Sequence, residues 1–328
     1  MRISFFGGGT DFPEFYQEHC GGVISTTFDK YCYVTVRHLP RFFEYASEFC
    51  YSEIERISRI EDIRHPLIRE AMRFLNMQEI RLTYEADLPA RSGLGTSSSF
   101  AVGMLYAFHS IKGEFVGKRQ LADEAIYVER RLCREAGGVQ DQIAASYGGF
   151  NKICFGPRGY QVEPLIMAPA RRERLNDRLL LFFTGLSRNS FEIQESTRSR
   201  LTECVGDLKE MMSLTSEAEK ILVEQERDLD DFGRLLDQHW QLKKMLSSRI
   251  STDYIDDIYK RAKQAGALGG KLLGAGGGGF VLFYVRQEDQ EAVRRALSDL
   301  MNVPFRFENE GSKVIYYSPE TYIPREGN

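Results

Sequence analysis

Three glycine clusters, each closing a β-like stretch, constrain this chain more than any other feature: FGGGTD at 6–11, RSGLGTSSS at 91–99 and KLLGAGGGG at 271–279. Glycine enters backbone regions of positive φ at little steric cost and lets another group come close to the main chain. Each cluster therefore marks a tight turn or a ligand contact. The middle one carries the strongest signal. In PARSGLGTSSSF (89–100) two glycines and a run of hydroxyl residues stand directly before an apolar helical segment. A helix N-terminus has unpaired N–H groups and about half an elementary positive charge. Ser and Thr hydroxyls can donate to phosphate or coordinate Mg2+, a hard cation that takes oxygen ligands. A plain helix cap needs one such residue; this stretch has the set a triphosphate requires and is predicted to cradle nucleotide phosphate.

The pattern is not a P-loop, whose nearest approach, AGALGGKL at 265–272, lacks the first glycine and the final hydroxyl. GxGxxG at 274–279 is followed by the β-like FVLFYV instead of a helix, which argues against a dinucleotide turn. A glycine turn that lets backbone approach a ligand or another domain fits better. For the first cluster the residues leave two readings open: a turn with an Asp/Thr cap, or backbone crowded against a polar ligand with Asp11 accepting from sugar hydroxyls. Two acids complete the set. Glu129 is expected at the exit of one helix and Asp141 in the first turn of the next, after Gly137 and Gly138. Helix capping accounts for Asp141 on its own; two acids on consecutive helices beside a phosphate loop also suit a metal ligand and a catalytic base.

Periodicity places strands at 3–6, 22–28, 31–37 and 79–87, with a tight hairpin turn at Asp29 and Lys30, then helices at 98–111, 118–135 and about 139–147 and a strand at 150–155. A Pro- and Arg-bearing stretch at 168–177 reads as a connector and sets the expected domains at 1–170 and 171–328. Beyond it come a buried strand at 178–184, a long helical region at 190–264, strands at 270–273 and 280–285, a helix at 288–301, and the β-like KVIYY at 313–317. The expected class is α+β in two domains. A net charge of −4 argues against a general nucleic-acid or membrane surface. No apolar run reaches the roughly 20 residues of a membrane span, and no signal-peptide pattern opens the chain. Six cysteines without any CxxC read as reduced thiols, which points to the cytoplasm.

Together the motifs resemble those of the GHMP kinases, the superfamily of galactokinase, homoserine kinase, mevalonate kinase and phosphomevalonate kinase, in the family's order and over essentially the whole chain. RISFFGGGTDF (2–12) resembles the family's substrate motif, PARSGLGTSSSF its ATP-phosphate loop, GGVQDQ (137–142) the segment of the catalytic aspartate, and KLLGAGGGGF its C-terminal glycine motif. The GGGTD form, with TGLSRNSFEI at 184–193, is similar to the heptose kinases that phosphorylate D-glycero-D-manno-heptose 7-phosphate at its anomeric hydroxyl. One departure is that Arg2 directly follows Met1, where family members have a short strand before this arginine.

The resemblance implies an N-terminal domain related to a ribosomal-protein fold, a ferredoxin-like C-terminal domain, and a site between them that uses ATP and Mg2+ on a small-molecule sugar or sugar phosphate; a homodimer is compatible with it. Carried over, Asp141 is the base and Arg2 the cation beside it. Arg91, Ser92, Gly93, Leu94, Gly95, Thr96, Ser97 and Ser98 hold the ATP phosphates, and Ser97 and Glu129 hold Mg2+. Gly8, Gly9, Thr10, Asp11, Gly138, Gly276 and Gly277 meet the sugar. Arg188 is read either as a fork for the sugar's distal phosphate or as a solvated helix-start arginine. The rival readings are a fucokinase- or galactokinase-like sugar kinase and a non-catalytic sugar or nucleotide sensor.

Overall fold

The computed structural model describes residues 1–40, 42–90, 92–186 and 190–319. The first half runs β1 (Arg2–Phe6), α1 (Pro13–His19), β2 (Gly21–Phe28), β3 (Cys32–His38), β4 (Ser47–Cys50), β5 (Ile54–Ile57), α2 (Pro66–Phe74), β6 (Ile80–Ala86), α3 (Thr96–Ile111), α4 (Lys118–Ile126), α5 (Gln140–Tyr147), β7 (Phe150–Gly156) and β8 (Gly159–Pro164). The second half runs α6 (Pro169–Asp177), β9 (Leu179–Phe183), α7 (Ser190–Arg198), α8 (Val205–Val223), α9 (Asp230–Met245), α10 (Asp253–Gln264), β10 (Gly269–Leu272), β11 (Phe280–Tyr284), α11 (Gln290–Ala296), β12 (Met301–Asn302) and β13 (Phe307–Glu308).

Three sheets result. An antiparallel sheet orders β1-β2-β7-β8, with β13 also paired to β2; a second orders β3-β6-β4-β5; the third, β10-β11-β9-β12, is antiparallel throughout. Burial follows the residue patterns. LLLFF of β9 and FVLFY of β11 are continuous apolar runs buried along almost their whole length, whereas CYVTVRH of β3 alternates half-buried and exposed positions. No helix among the described residues is long and apolar enough to cross a membrane.

Several expectations give way to longer-range pairing. Asp29 and Lys30 do not close a hairpin: β2 pairs with β1, β7 and β13, while β3 pairs with β6 in another sheet. The turn instead passes the chain between sheets and is clipped to the approach of β13, where the Asp29 N–H donates to the Arg306 carbonyl at 2.9 Å and Asp29 Oδ1 accepts from the Arg306 N–H at 2.9 Å. The expected connector is helix α6, started by Pro169. The expected 288–301 helix is only α11, preceded by a 3-10 turn at Gln287–Asp289 and followed by β12. KVIYY forms no strand; Ile315 and Tyr316 are exposed instead.

The halves share a core. Phe5 and Phe6 of β1 meet Phe232 of α9 edge-on, with ring centroids 5.4 and 5.2 Å apart, and Phe5 also stacks on Phe150 of β7 at 5.5 Å. The proposed division at 170/171 is therefore crossed by α9 packing on β1 and by β13 joining β2. Truncating Phe232, which is fully buried, should lower stability by about 3–5 kcal/mol. Urea denaturation of Phe232→Ala checks this; a loss below about 1 kcal/mol would show that β1 does not depend on α9.

Candidate active site

The phosphate-loop glycines do two jobs. Gly93 (φ 82°) and Gly95 (φ 71°) both sit in the left-handed region. Gly95 caps α3, leaving the first-turn N–H groups of Thr96, Ser97 and Ser98 without partners in the helix. Gly93 packs backbone to backbone against the third cluster. A Cβ on Gly93 would lie 2.4 Å from the Leu273 carbonyl oxygen, and one on Gly274 would lie 2.3 Å from Gly93 Cα. The loop is thereby pressed onto the β10–β11 turn, and a cleft opens beside the contact.

Arg2, at the start of β1, spans this seam. Its Nε and Nη2 donate to the two carboxylate oxygens of Asp141, each at 2.7 Å, and its Nη1 donates to the Gly93 carbonyl at 2.8 Å. Asp141 stands in the first turn of α5 with its side chain 23% exposed toward the cleft, against 5% for Arg2. Glu129 lies in a π-helical turn, Tyr127–Leu132, that continues α4; such turns recur at functional positions. Ser97 Oγ donates to Glu129 Oε1 at 3.1 Å, and Gln142 Nε2 donates to Oε2 at 2.5 Å. The Ser97 and Glu129 oxygens thus face the cleft together. Among the described residues no group of three or more acidic, His or Cys side chains converges as a metal cage. A hard oxygen pair of this kind suits Mg2+, which keeps water and binds through one or two carboxylates plus substrate phosphate.

Asp11 is held by the Gly9 N–H at 3.0 Å and the Gln140 N–H at 3.3 Å. Burial pushes its carboxyl up from the usual range; the Gly9 N–H pulls the other way, and the charge of Asp141 adds to the rise. From the second half come Gln194 and Thr197 of α7, Lys243 and Leu246 at the end of α9, Ile250, Lys271, Gly274 and Ala275.

The family model for the GHMP kinases N terminal domain matches residues 65–149, and that for GHMP kinases C terminal matches 218–303. The chain belongs to the GHMP kinases. It is similar to the D-glycero-alpha-D-manno-heptose 7-phosphate kinase of Campylobacter jejuni, with 29% identity covering 95% of this chain and 96% of that one. It is also similar to the galactokinase of Pyrococcus furiosus, with 22% identity and 90% of each chain covered. Among solved structures, a D-glycero-D-manno-heptose 1-phosphate kinase from Bacteroides thetaiotaomicron superposes with a TM-score of 0.77 at 26% identity, covering 97% of this chain and 98% of that one. This GHMP kinase is accordingly a phosphotransferase with an alcohol acceptor.

Of the residues singled out from sequence, Arg2, Gly8, Gly9, Asp11, Gly93, Gly95, Thr96, Ser97, Ser98, Glu129, Gly138 and Asp141 line the same cleft. Others stand behind its wall. Thr10 Oγ1 donates to the Gly7 carbonyl at 2.8 Å and accepts from the Gly22 N–H at 3.1 Å, pinning the loop to β2. Leu94 is fully buried in the core, and Ser92 is buried beneath the loop. Gly276 and Gly277 lie against Ile250: a Cβ on Gly276 would meet Ile250 Cα at 2.6 Å, and the Gly277 N–H donates to the Ile250 carbonyl at 2.9 Å. Arg91 and Arg188 lie outside the described residues.

Sequence reasoning passed over three groups that line the cleft, Gln140, Lys243 and Lys271, and one behind its wall, Gln142. Gln140 takes a hydrogen bond from Ser4 Oγ at 2.7 Å, and Gln142 steadies Glu129 from behind. Lys271 donates to the Phe5 carbonyl at 2.7 Å, and burial, with Lys243 and Arg2 adding to it, holds its pKa well below the usual lysine range. Lys243 donates to the Gly274 carbonyl at 2.6 Å. Lys271 opens the third glycine cluster and had a signal to find it by; Lys243 sits in a long helical stretch that reads as a solvated face. Gly274→Ala should force the two glycine loops apart, combining a backbone clash with a left-handed φ of 75°. A thermal midpoint lower by several degrees is expected, as for about 1–3 kcal/mol of overpacking. An unchanged midpoint would mean the loops are not locked together.

Proposed function

We propose that this GHMP kinase transfers the γ-phosphoryl group of MgATP to the anomeric O1 hydroxyl of D-glycero-D-manno-heptose 7-phosphate. The observation that carries the reading is the Arg2–Asp141 fork, set in the same cleft as the α3 N-terminus and the Ser97–Glu129 pair. The acceptor identity rests on the GGGTD motif and on the 29% identity to the Campylobacter jejuni enzyme over nearly the full length of both chains.

In-line phosphoryl transfer has a loose transition state, so the protein contributes mainly position and charge neutralisation. The N–H groups that open α3 take the β- and γ-phosphate oxygens. Ser97 and Glu129 would hold Mg2+, which offsets phosphate charge when bound. Asp141 accepts the proton of the acceptor hydroxyl; a carboxylate forked by one arginine retains lone pairs for a further donor. An anomeric hydroxyl is more acidic than an ordinary alcohol, which eases that transfer. Arg2 orients Asp141 and sets a positive charge beside the group in transit. Gly8, Gly9, Asp11 and Gly138 form the wall on which the sugar would lie.

The test is ATP consumption with heptose 7-phosphate, free heptose, fucose and galactose, with 31P NMR locating the new phosphate. Heptose 7-phosphate should give the highest kcat/KM and a phosphate at O1. A higher value with galactose or fucose would replace this acceptor with that of the galactokinase-like relatives, and no turnover with any acceptor would remove the ATP-dependent reading. Asp141→Asn should lower kcat by about 10²–10⁴-fold with ATP binding unchanged. Near-normal turnover in that variant would take the base role from Asp141.

A further inference from the structure

We propose that Lys243 is a further catalytic residue: its ammonium contacts the phosphoryl group in transit, as a second cation supplied by the C-terminal half opposite Arg2. The proposal rests on the kinase reading above. Lys243 lies in the last turn of α9, is 7% exposed, and still lines the cleft. An ammonium carries three donors. Among the described residues its one hydrogen bond is to the Gly274 carbonyl, and no carboxylate lies within ion-pair distance of it. A buried ammonium with no carboxylate in direct contact is unfavourable; Asp11 and Asp141 offset this only from a longer range.

The position says which anion would make that contact. Gly274, whose carbonyl accepts the Lys243 hydrogen bond, is the residue pressed against Gly93 of the phosphate loop, and the Gly93 carbonyl accepts a hydrogen bond from Arg2 Nη1. Lys243 and Arg2 therefore stand on opposite sides of one backbone contact, at the junction of the phosphate loop and the base. Asp141 already has its bidentate partner in Arg2, and Asp11 is held by backbone N–H groups. A phosphoryl group moving from the loop toward Asp141 is the anion that would meet both cations.

The groups facing Lys243 are Arg2 on β1, Asp11 on the following loop, Asp141 on α5, Lys271 on β10 and His239 one turn earlier on α9. His239 accepts the Gly7 N–H at 2.8 Å, and burial, with both lysines adding to it, holds it well below the usual imidazole range. Burial first, then Arg2, brings the Lys243 pKa down to about 8, against opposing pulls from Asp11 and Asp141. The useful form is the protonated one, so its contribution is complete below that pKa and is lost as pH rises through it. This gives an alkaline limb to kcat/KM, which reports the free enzyme.

The test uses the full chain with Lys243→Met and Lys243→Arg, assayed with MgATP and each acceptor from pH 6 to 10. Expected are a wild-type limb near pH 8 in kcat/KM, and a Lys243→Met kcat lower by about 10²–10³-fold, the size of losing one preorganised donor. The limb should vanish in Lys243→Met, and Lys243→Arg should recover part of the rate without it. A wild-type profile flat from pH 7 to 9.5 overturns the proposal whether or not the variants fold. So does Lys243→Met at more than about a third of the wild-type kcat. A raised KM confined to heptose 7-phosphate, with kcat unchanged, would assign Lys243 to the acceptor's own phosphate and overturn it as well. Absence of any wild-type turnover would instead bring down the kinase reading beneath it.

Discussion

The site depends on one guanidinium. Arg2 is planar and presents its donors in a fixed fork, so two parallel bonds to Asp141 and a third to the Gly93 carbonyl fix the start of β1, the first turn of α5 and the phosphate loop at once. Charge-assisted bonds of this type are short and directional, and here they lie in a mostly buried setting. The Arg2 backbone N–H also donates to the Leu94 carbonyl at 3.1 Å. A strand, a helix and a glycine loop that are far apart in the chain are thereby brought to one point. Removing Asp141 would leave the Arg2 charge buried without compensation.

The same seam explains why the glycine clusters are so dense. Besides the Gly93–Gly274 contact, a Cβ on Gly279 would lie 2.3 Å from the Ser92 carbonyl oxygen, one on Gly7 1.9 Å from the Gly22 carbonyl oxygen, and one on Gly138 1.8 Å from Asp11 Oδ2. The clusters pack main chain on main chain, or main chain on the Asp11 carboxylate, and this closeness is what presents backbone N–H groups to the cleft. Missing side chains permit both a ligand contact and a tight turn, so a glycine assigned to a ligand from sequence can prove to be packing. Gly276 and Gly277, set against Ile250, are the instances here.

Charge in the cleft is drawn from both halves. Asp11, Glu129, Asp141 and Arg2 come from before 170, and Lys243 and Lys271 come from after it. The cations are buried by different elements but share the same electrostatic field, which is why Arg2 and Lys243 each depress the pKa of Lys271. Phe232 against Phe5 and Phe6 holds α9, and with it Lys243, at its distance from β1.

What the amino-acid order determined by itself is what local physics can specify. The apolar runs of β9 and β11, the helix that begins after Gly95, the glycine turns and the placing of Glu129 and Asp141 on successive helical segments all follow from patterns a few residues long. What only the tertiary structure decided is long-range pairing. It sent Asp29 to Arg306 in place of a hairpin, returned β13 to β2, left KVIYY without a strand, set Thr10 against β2, and brought Lys243 beside a loop 150 residues earlier in the chain. The reason is that periodicity within a segment reports which face will be buried, while the partner of that face is chosen by the energy of the whole packed core.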